Sequence, residues 1–203
     1  MRIPTGVSPK MASPEAFVKV PKNRVGALIG PNASNKELIE KRLGVRLEVE
    51  SESGDVSITL SPGAADPSTL FRAKEVVSAV GRGFSPDKAR RLLDDDDAIL
   101  LVVDMREFVG KSESDIKRLS GRIIGQEGKT RRIIEELTEA YVSVYGHTVS
   151  IIGNVEEAEI ARQAVEMFIR GRLHTSVYRF LHAKRRDLKK KKMEIWKKPP
   201  ETK

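Results

Sequence analysis

The chain is predicted to fold as two tandem α+β units, each a three-stranded sheet packed by helices. Three observations predict this. First, the sequence repeats. When it is slid so that Gly30 falls on Gly125, Leu28 and Ile29 meet Ile123 and Ile124, and Leu38 and Ile39 meet Ile133 and Ile134. Val45, Leu47 and Val49 then meet Ala140, Val142 and Val144. Second, helix-type apolar spacing gives way in each repeat to strict alternation, which marks a helix followed by a strand. Third, a glycine turn stands ahead of each of these helices. The 203 residues are enough for two small units with their own cores.

The elements follow in order. Met1 to Pro14 holds three prolines and no apolar core of a secretory signal, so residues 1–14 read as a flexible arm. Phe17–Val20 and Ala98–Met105 are apolar enough to be first strands. Each glycine turn and its helix come next, then the alternating second strand. Val56–Leu60 and Thr148–Ile152 are third strands, each after a turn, Ser53-Gly54-Asp55 and Tyr145-Gly146-His147. A last helix closes each unit. The first starts at Asp66-Pro67, an N-cap followed by proline, and carries Leu70, Ala73, Val77 and Val80 on one face. The second starts at Asn154 with Glu157 three residues on, as in a capping box, and carries Ala161, Val165, Phe168 and Ile169. A further short helix follows each, Ser85–Leu93 and Ser176–Lys190, the second striped by Val177, Phe180, Leu181 and Leu188. The units are therefore placed at 15–93 and 94–188, with a basic tail over 189–203.

Charge narrows the partner. The 37 Lys and Arg against 29 Asp and Glu leave a formal charge of +8. An anionic partner is expected, nucleic acid before membrane, because no apolar run could span a bilayer. With no cysteine, disulfides and thiolate metal sites are excluded. The protein is expected in the cytoplasm. His147, His174 and His182 have neither ligand spacing nor a nucleophile, so no enzyme activity, cofactor or metal is expected. Asp94–Asp97 resembles a cation site only in composition. Adjacent carboxylates point in different directions, and a solvated linker or helix end is the better reading.

The chemistry concentrates in Gly121-Arg122-Ile123-Ile124-Gly125-Gln126-Glu127-Gly128-Lys129-Thr130-Arg131-Arg132. Two glycines let the backbone turn tightly close to a ligand. The helix behind them offers free N–H groups and the positive end of its dipole, and Lys129, Arg131 and Arg132 add full charges there. Such a site suits a phosphodiester chain. Gly128-Lys129-Thr130 imitates the end of a P-loop, but that motif needs glycine where Ile123 stands. With its apolar flanks the segment resembles the Gly-x-x-Gly loop of a KH domain, which clamps about four nucleotides of single-stranded RNA. The order strand, helix, loop, helix, strand, strand, helix resembles the eukaryotic-type (type I) KH topology.

The two loops differ. The first reads Gly30-Pro31-Asn32-Ala33. Proline donates no N–H, and alanine strains a turn that needs positive φ. This loop is expected to grip a phosphate backbone poorly, leaving the first unit for packing, protein contacts or orientation. In the second loop Glu127 stands at the tip, where KH loops carry a basic residue. The grip would then rest on backbone amides and the following helix.

Leu92 to Asp97, Val103 to Ser112 and Gly121 to Gly153 resemble the two-KH-domain assembly factors of the small ribosomal subunit, the Dim-type KH proteins. The degenerate first loop and intact second loop are features of that archaeal and eukaryotic family. The long acidic extension of eukaryotic members has no counterpart here, so an archaeal source is expected. The resemblance implies binding near the 3′ end of small-subunit rRNA and assistance to its maturation. It also implies partnership with the endonuclease that matures that end and with pre-ribosome proteins. Gly125, Gln126, Glu127 and Gly128 would turn along the sugar-phosphate chain. Lys129, Arg131 and Arg132 would neutralise phosphates, and Thr130 is placed with them among the RNA-binding residues. Arg122, Ile123, Val142 and Val144 would line the base groove. Two other readings remain: a protein-docking adaptor using both folds, and an RNA-binding exosome subunit. The intact loop disfavours the adaptor, and the lack of room for an S1-type barrel disfavours the exosome subunit.

Overall fold

Alternation decides the first sheet. The computed structural model describes residues 15–62 and 66–197; the arm over 1–14 and the end of the tail, 198–203, lie outside them. Strand β1 (Glu15–Lys19) and strand β2 (Val45–Val49) both pair antiparallel with β3 (Asp55–Leu60), giving the order β1-β3-β2. Val45, Leu47, Val56 and Ile58 turn into the core, while Phe17, Arg46 and Glu48 stand on the other, exposed face. Helices α1 (Lys22–Ile29), α2 (Ser34–Leu43) and α3 (Ser68–Gly81) cover the inner face. As the cap signal foretold, the Asp66 carboxylate accepts the Ser68 N–H at 2.8 Å, and Leu70, Ala73, Val77 and Val80 are buried.

The second unit repeats this plan. Strands β4 (Ala98–Asp104), β5 (Tyr141–Tyr145) and β6 (Thr148–Asn154) order as β4-β6-β5. Helices α7 (Glu113–Ile124), α8 (Lys129–Thr138) and α9 (Val155–Ile169) pack on one face. The Asn154–Glu157 capping box is formed in full. Two differences from expectation stand out. A short helix α6 (Arg106–Val109) is inserted after β4. The final helix α10 (His174–Lys197) runs through the stretch read as the start of a tail. Its stripe of Val177, Leu181 and Leu188 is buried, while Lys189, Lys190 and Lys191, good helix formers, continue the helix with exposed side chains.

The two sheets do not join. Instead the first unit's helices cover the second sheet's back. Strand β6 is buried at six of its seven positions because both faces are covered. Ala98 and Ile152 belong to the first unit's core, packed with Phe84, Ala89 and Leu92. Phe84 follows α3, while Ala89 lies on α4 (Pro86–Ala89) and Leu92 on α5 (Arg91–Asp94). Polar bonds fix the orientation. Ser143 Oγ donates to Arg82 O at 2.9 Å, and Tyr145 OH donates to Asn23 Oδ1 at 2.8 Å. Arg91 donates to buried Glu157 and to Glu139 O, both at 2.6 Å. Arg72 donates to the carbonyls of Leu92, Asp95 and Asp96, and Arg42 pairs with Asp94 at 2.6 Å. The acidic run is thus the knot where arginines from the preceding unit gather at the junction.

Candidate nucleic-acid interface

Helix α7 ends where Gly125 turns to φ +73°, ψ 175°. A single 3₁₀ turn over Gln126–Gly128 follows, with Glu127 at φ +51° and Gly128 at φ +76°, and α8 begins at Lys129. Gly125 is required for space as well as for φ. A Cβ there would stand 2.3 Å from Thr130 Oγ1 and 2.8 Å from Thr130 N. No side chain caps α8 and its first turn holds no acid, so its positive end faces the turn unneutralised. Among the described residues, no carboxylate lies within ion-pair distance of Lys129, Arg131 or Arg132. Arg132 donates back to Glu127 O at 2.5 Å, which braces the tip.

The first loop has the same shape. Gly30 lies at φ +74°, ψ 175°, Asn32 at φ +51° and Ala33 at φ +61°. The degenerate sequence has not changed the turn; alanine adopts the left-handed conformation at the cost of strain. What the first loop lacks is chemistry. Pro31 stands where Gln126 offers an N–H. Ser34, Lys36 and Glu37 stand where the second unit has Lys129, Arg131 and Arg132. Lys36 in turn approaches Glu40 at 3.8 Å.

The structure corrects the base groove. Ile123 is 0% exposed and Val142 1%, and both belong to the second core, so neither side chain reaches a base. Ile123 faces inward because its helical stripe packs on the sheet, and Val142 because its strand alternation points it under α7 and α8. Val144 is half-buried against the same core. Thr130 is also buried, directly beneath Gly125, so it supports the turn rather than touching a ligand. The Arg122 guanidinium is drawn to Arg172 O. Gln126, Glu127, Lys129 and Arg132 are exposed, with Arg131 partly so. Strand β5 is a sheet edge, and the amide of Val142 on it is taken by Glu135 Oε1 at 2.9 Å, as that of Leu47 is by Glu40 at 2.7 Å.

Beyond the turn, a pocket of about 540 Å³ opens between α7 and the β5–β6 turn, lined by Arg106, Lys111, Ile116, Lys117, Ser120 and His147 among others. Arg106 is spent on Asp104, at 2.6 Å, and its hydrogen bonds hold that carboxyl below the usual carboxylate range. Lys111 and Lys117 have no ion-pair partner among the described residues. Sequence reading missed these lysines. Lys111 stands in the turn ahead of α7 and Lys117 on α7 beside the half-buried Ile116, so no single helical spacing marked the pair.

A basic, two-unit α+β protein with an exposed glycine turn at the head of an uncapped helix is defined as a KH-domain protein. Residues 99–186 match the family model described as the eukaryotic type KH-domain (KH-domain type I), and residues 15–78 match that of the KH domain. A KH domain-containing protein of Methanocaldococcus jannaschii is 46% identical over 90% of this chain and 79% of its own. The pre-rRNA-processing protein PNO1 of Phaeosphaeria nodorum is 28% identical over 68% of this chain, which spans about half of that relative (52%). A chain of the a/eIF2alpha–aDim2p–rRNA complex from Pyrococcus horikoshii is 42% identical, with a TM-score of 0.81 over 88% of this chain and 97% of that one. The chain belongs to the two-KH-domain family of PNO1 and Dim2p. Among the described residues, no helix is long and apolar enough to cross a membrane.

Proposed function

We propose that the protein binds single-stranded RNA through its second KH unit and acts in small ribosomal subunit biogenesis. There it holds the 3′ end of small-subunit rRNA during maturation. One observation carries this reading: two turns of the same shape, of which only the second combines an N–H at its first x position with three cations behind it that no carboxylate among the described residues neutralises. The kinship with a pre-rRNA-processing protein, and with a complex that contains rRNA, supports the RNA and the setting. The turn Gly125–Gly128 lets a phosphate chain approach the backbone, and Lys129, Arg131 and Arg132 neutralise it. Bases then lie along α7 toward Lys117 and Lys111, where apolar Ile116 and the polar rim read their faces and edges. The protein performs no chemistry itself; it presents or shields a strand for an endonuclease and pre-ribosome partners. The first unit, whose loop lacks these groups, serves orientation and protein contacts. The arm, the units at 15–93 and 94–188 and the tail remain the working division, in a cytoplasmic protein.

The test is titration with a 3′-terminal small-subunit rRNA fragment and its scrambled version over a range of salt. The intact chain is expected to prefer the 3′-end sequence. Deleting residues 189–203 removes exposed Lys189 and Lys190 together with Lys191, which is tied to Glu156 at 2.5 Å. These charges read no bases. The deletion is therefore expected to weaken both RNAs alike and to lower the salt slope, by up to ~0.7 log units per lost phosphate contact. Equal affinity of the intact chain for both sequences would remove the 3′-end reading. Loss of preference with an unchanged slope would make the tail the reader.

A further inference from the structure

In the first unit the turn is held from within. Asn35 Nδ2 donates to Ala27 O at 2.9 Å, satisfying a carbonyl of the last turn of α1, and the Asn35 side chain fills the space under Gly30. The equivalent positions in the second unit are Thr130 and Arg122. Threonine is too short to make that bond. Thr130 Oγ1 instead lies 3.2 Å from Tyr178 OH, and His174 Nε2 lies 3.4 Å from Arg122 O. Both partners come from α10. The His174 ring packs on buried Phe168 at 4.9 Å and meets Tyr178 edge-on at 6.1 Å, so the two are set as a pair. The Arg122 guanidinium is fastened to Arg172 O, just ahead of α10. Beside the turn's own bond from Gly128 N–H to Gly125 O at 3.2 Å, both flanks of the second turn are thus tied to the C-terminal segment.

We infer that α10 is a strut of the second turn, with Tyr178 and His174 as positioning residues that hold Gly125–Gly128 in RNA-binding shape through Thr130 and Arg122 O, in place of the bond Asn35 makes in the first turn. This rests on the RNA-binding reading for its consequence, though not for its geometry. A turn that has lost this strut samples other conformations more often, and RNA must then select the competent one, which lowers apparent affinity. The lost brace is one or two neutral hydrogen bonds.

The test replaces Tyr178 and His174 with phenylalanine together, which keeps both rings and removes the polar atoms. Three quantities are measured on the full chain: amide hydrogen exchange over residues 125–130 without RNA, affinity for the 3′-terminal rRNA fragment, and thermal midpoint. The double variant should exchange faster in the turn and bind about three- to tenfold more weakly, at a nearly unchanged midpoint. Adding Thr130→Asn should restore both, because asparagine fits this site in the first unit and reaches the helix-end carbonyl. If the double variant fails to fold, Tyr178→Phe alone, which deletes one hydroxyl, carries the same measurements. Unchanged exchange in the turn overturns the strut whatever the RNA does, as does an affinity loss that Thr130→Asn leaves in place. Wild-type protein that does not bind the fragment would instead defeat the RNA reading, leaving the exchange result to judge the strut.

Discussion

Gln126→Asp with Lys129→Asp should separate RNA binding from stability. Both side chains are exposed, and neither position packs on a core. The pair places two carboxylates where phosphates would lie and removes one cation. Charge-assisted hydrogen bonds of about 1.5–3 kcal/mol are lost, so affinity for single-stranded RNA should fall at least about tenfold. The fold should not suffer. An aspartate at the first position of α8 complements the helix dipole of an end that has no acid and no cap. Thermal stability should hold or rise slightly while binding collapses. The matched change in the first unit, Pro31→Asp with Ser34→Asp, should leave affinity within about twofold, since that turn offers fewer donors and no cluster of cations. Equal losses from both pairs, read by fluorescence anisotropy at fixed salt, would mean that the first turn also holds RNA.

Arg91→Ala should be the most destabilising single change at the junction of the units. Its guanidinium reaches Glu157 at 2.6 Å and Glu139 O at 2.6 Å, and the Glu157 side chain is only 5% exposed. Glu157 also accepts from Asn154 N in the capping box that starts α9. Removing the arginine leaves a carboxylate buried without its counter-ion. The expected cost is about 3–5 kcal/mol, read as a shift in the urea midpoint. Arg91→Lys should recover only part of it, since an ammonium cannot bridge both acceptors in the same fork. A loss below about 1 kcal/mol would show that the pair is solvated and contributes as a surface ion pair does.

Much of the fold was legible because each unit is built from locally consistent signals. The alternation of Val45-Arg46-Leu47-Glu48-Val49, the caps at Asp66 and Asn154, and the repeat that aligns Gly30 with Gly125 all agree with the observed elements. The packing of one unit on the other was also written in the chain, though less plainly. Ala98 to Val103 is apolar at every position where β2 and β3 alternate, and its residues divide between the two cores, Val103 in the second and Ala98 in the first. Arg72 and Arg91 carry no local mark of their role, because their partners lie 24 and 66 residues away.

The site was legible in its turn and less so in its groove. Gly125, Gly128 and the cations behind them needed only backbone chemistry to identify. Ile123 and Val142 were assigned to the ligand although the periodicity that revealed their helix and strand already committed them to the core. One apolar stripe cannot serve both. Thr130 reads as an RNA-binding residue by its place in the motif; only the space under Gly125 shows it filling the floor of the turn. The sameness of the two turns was the least accessible feature. Alanine at φ +61° is disfavoured, and only the surrounding fold could impose it.

The central claim is that two turns of one shape differ in chemistry, so that only the second clamps RNA. Backbone amide shift mapping during titration with the 3′-terminal rRNA fragment tests it most directly, since every loop amide reports separately. Large shifts are expected at Gly125 through Arg132 and along α7 toward Lys117, with little change at Gly30 through Glu37. Comparable shifts at both turns, or shifts confined to the first, would contradict it.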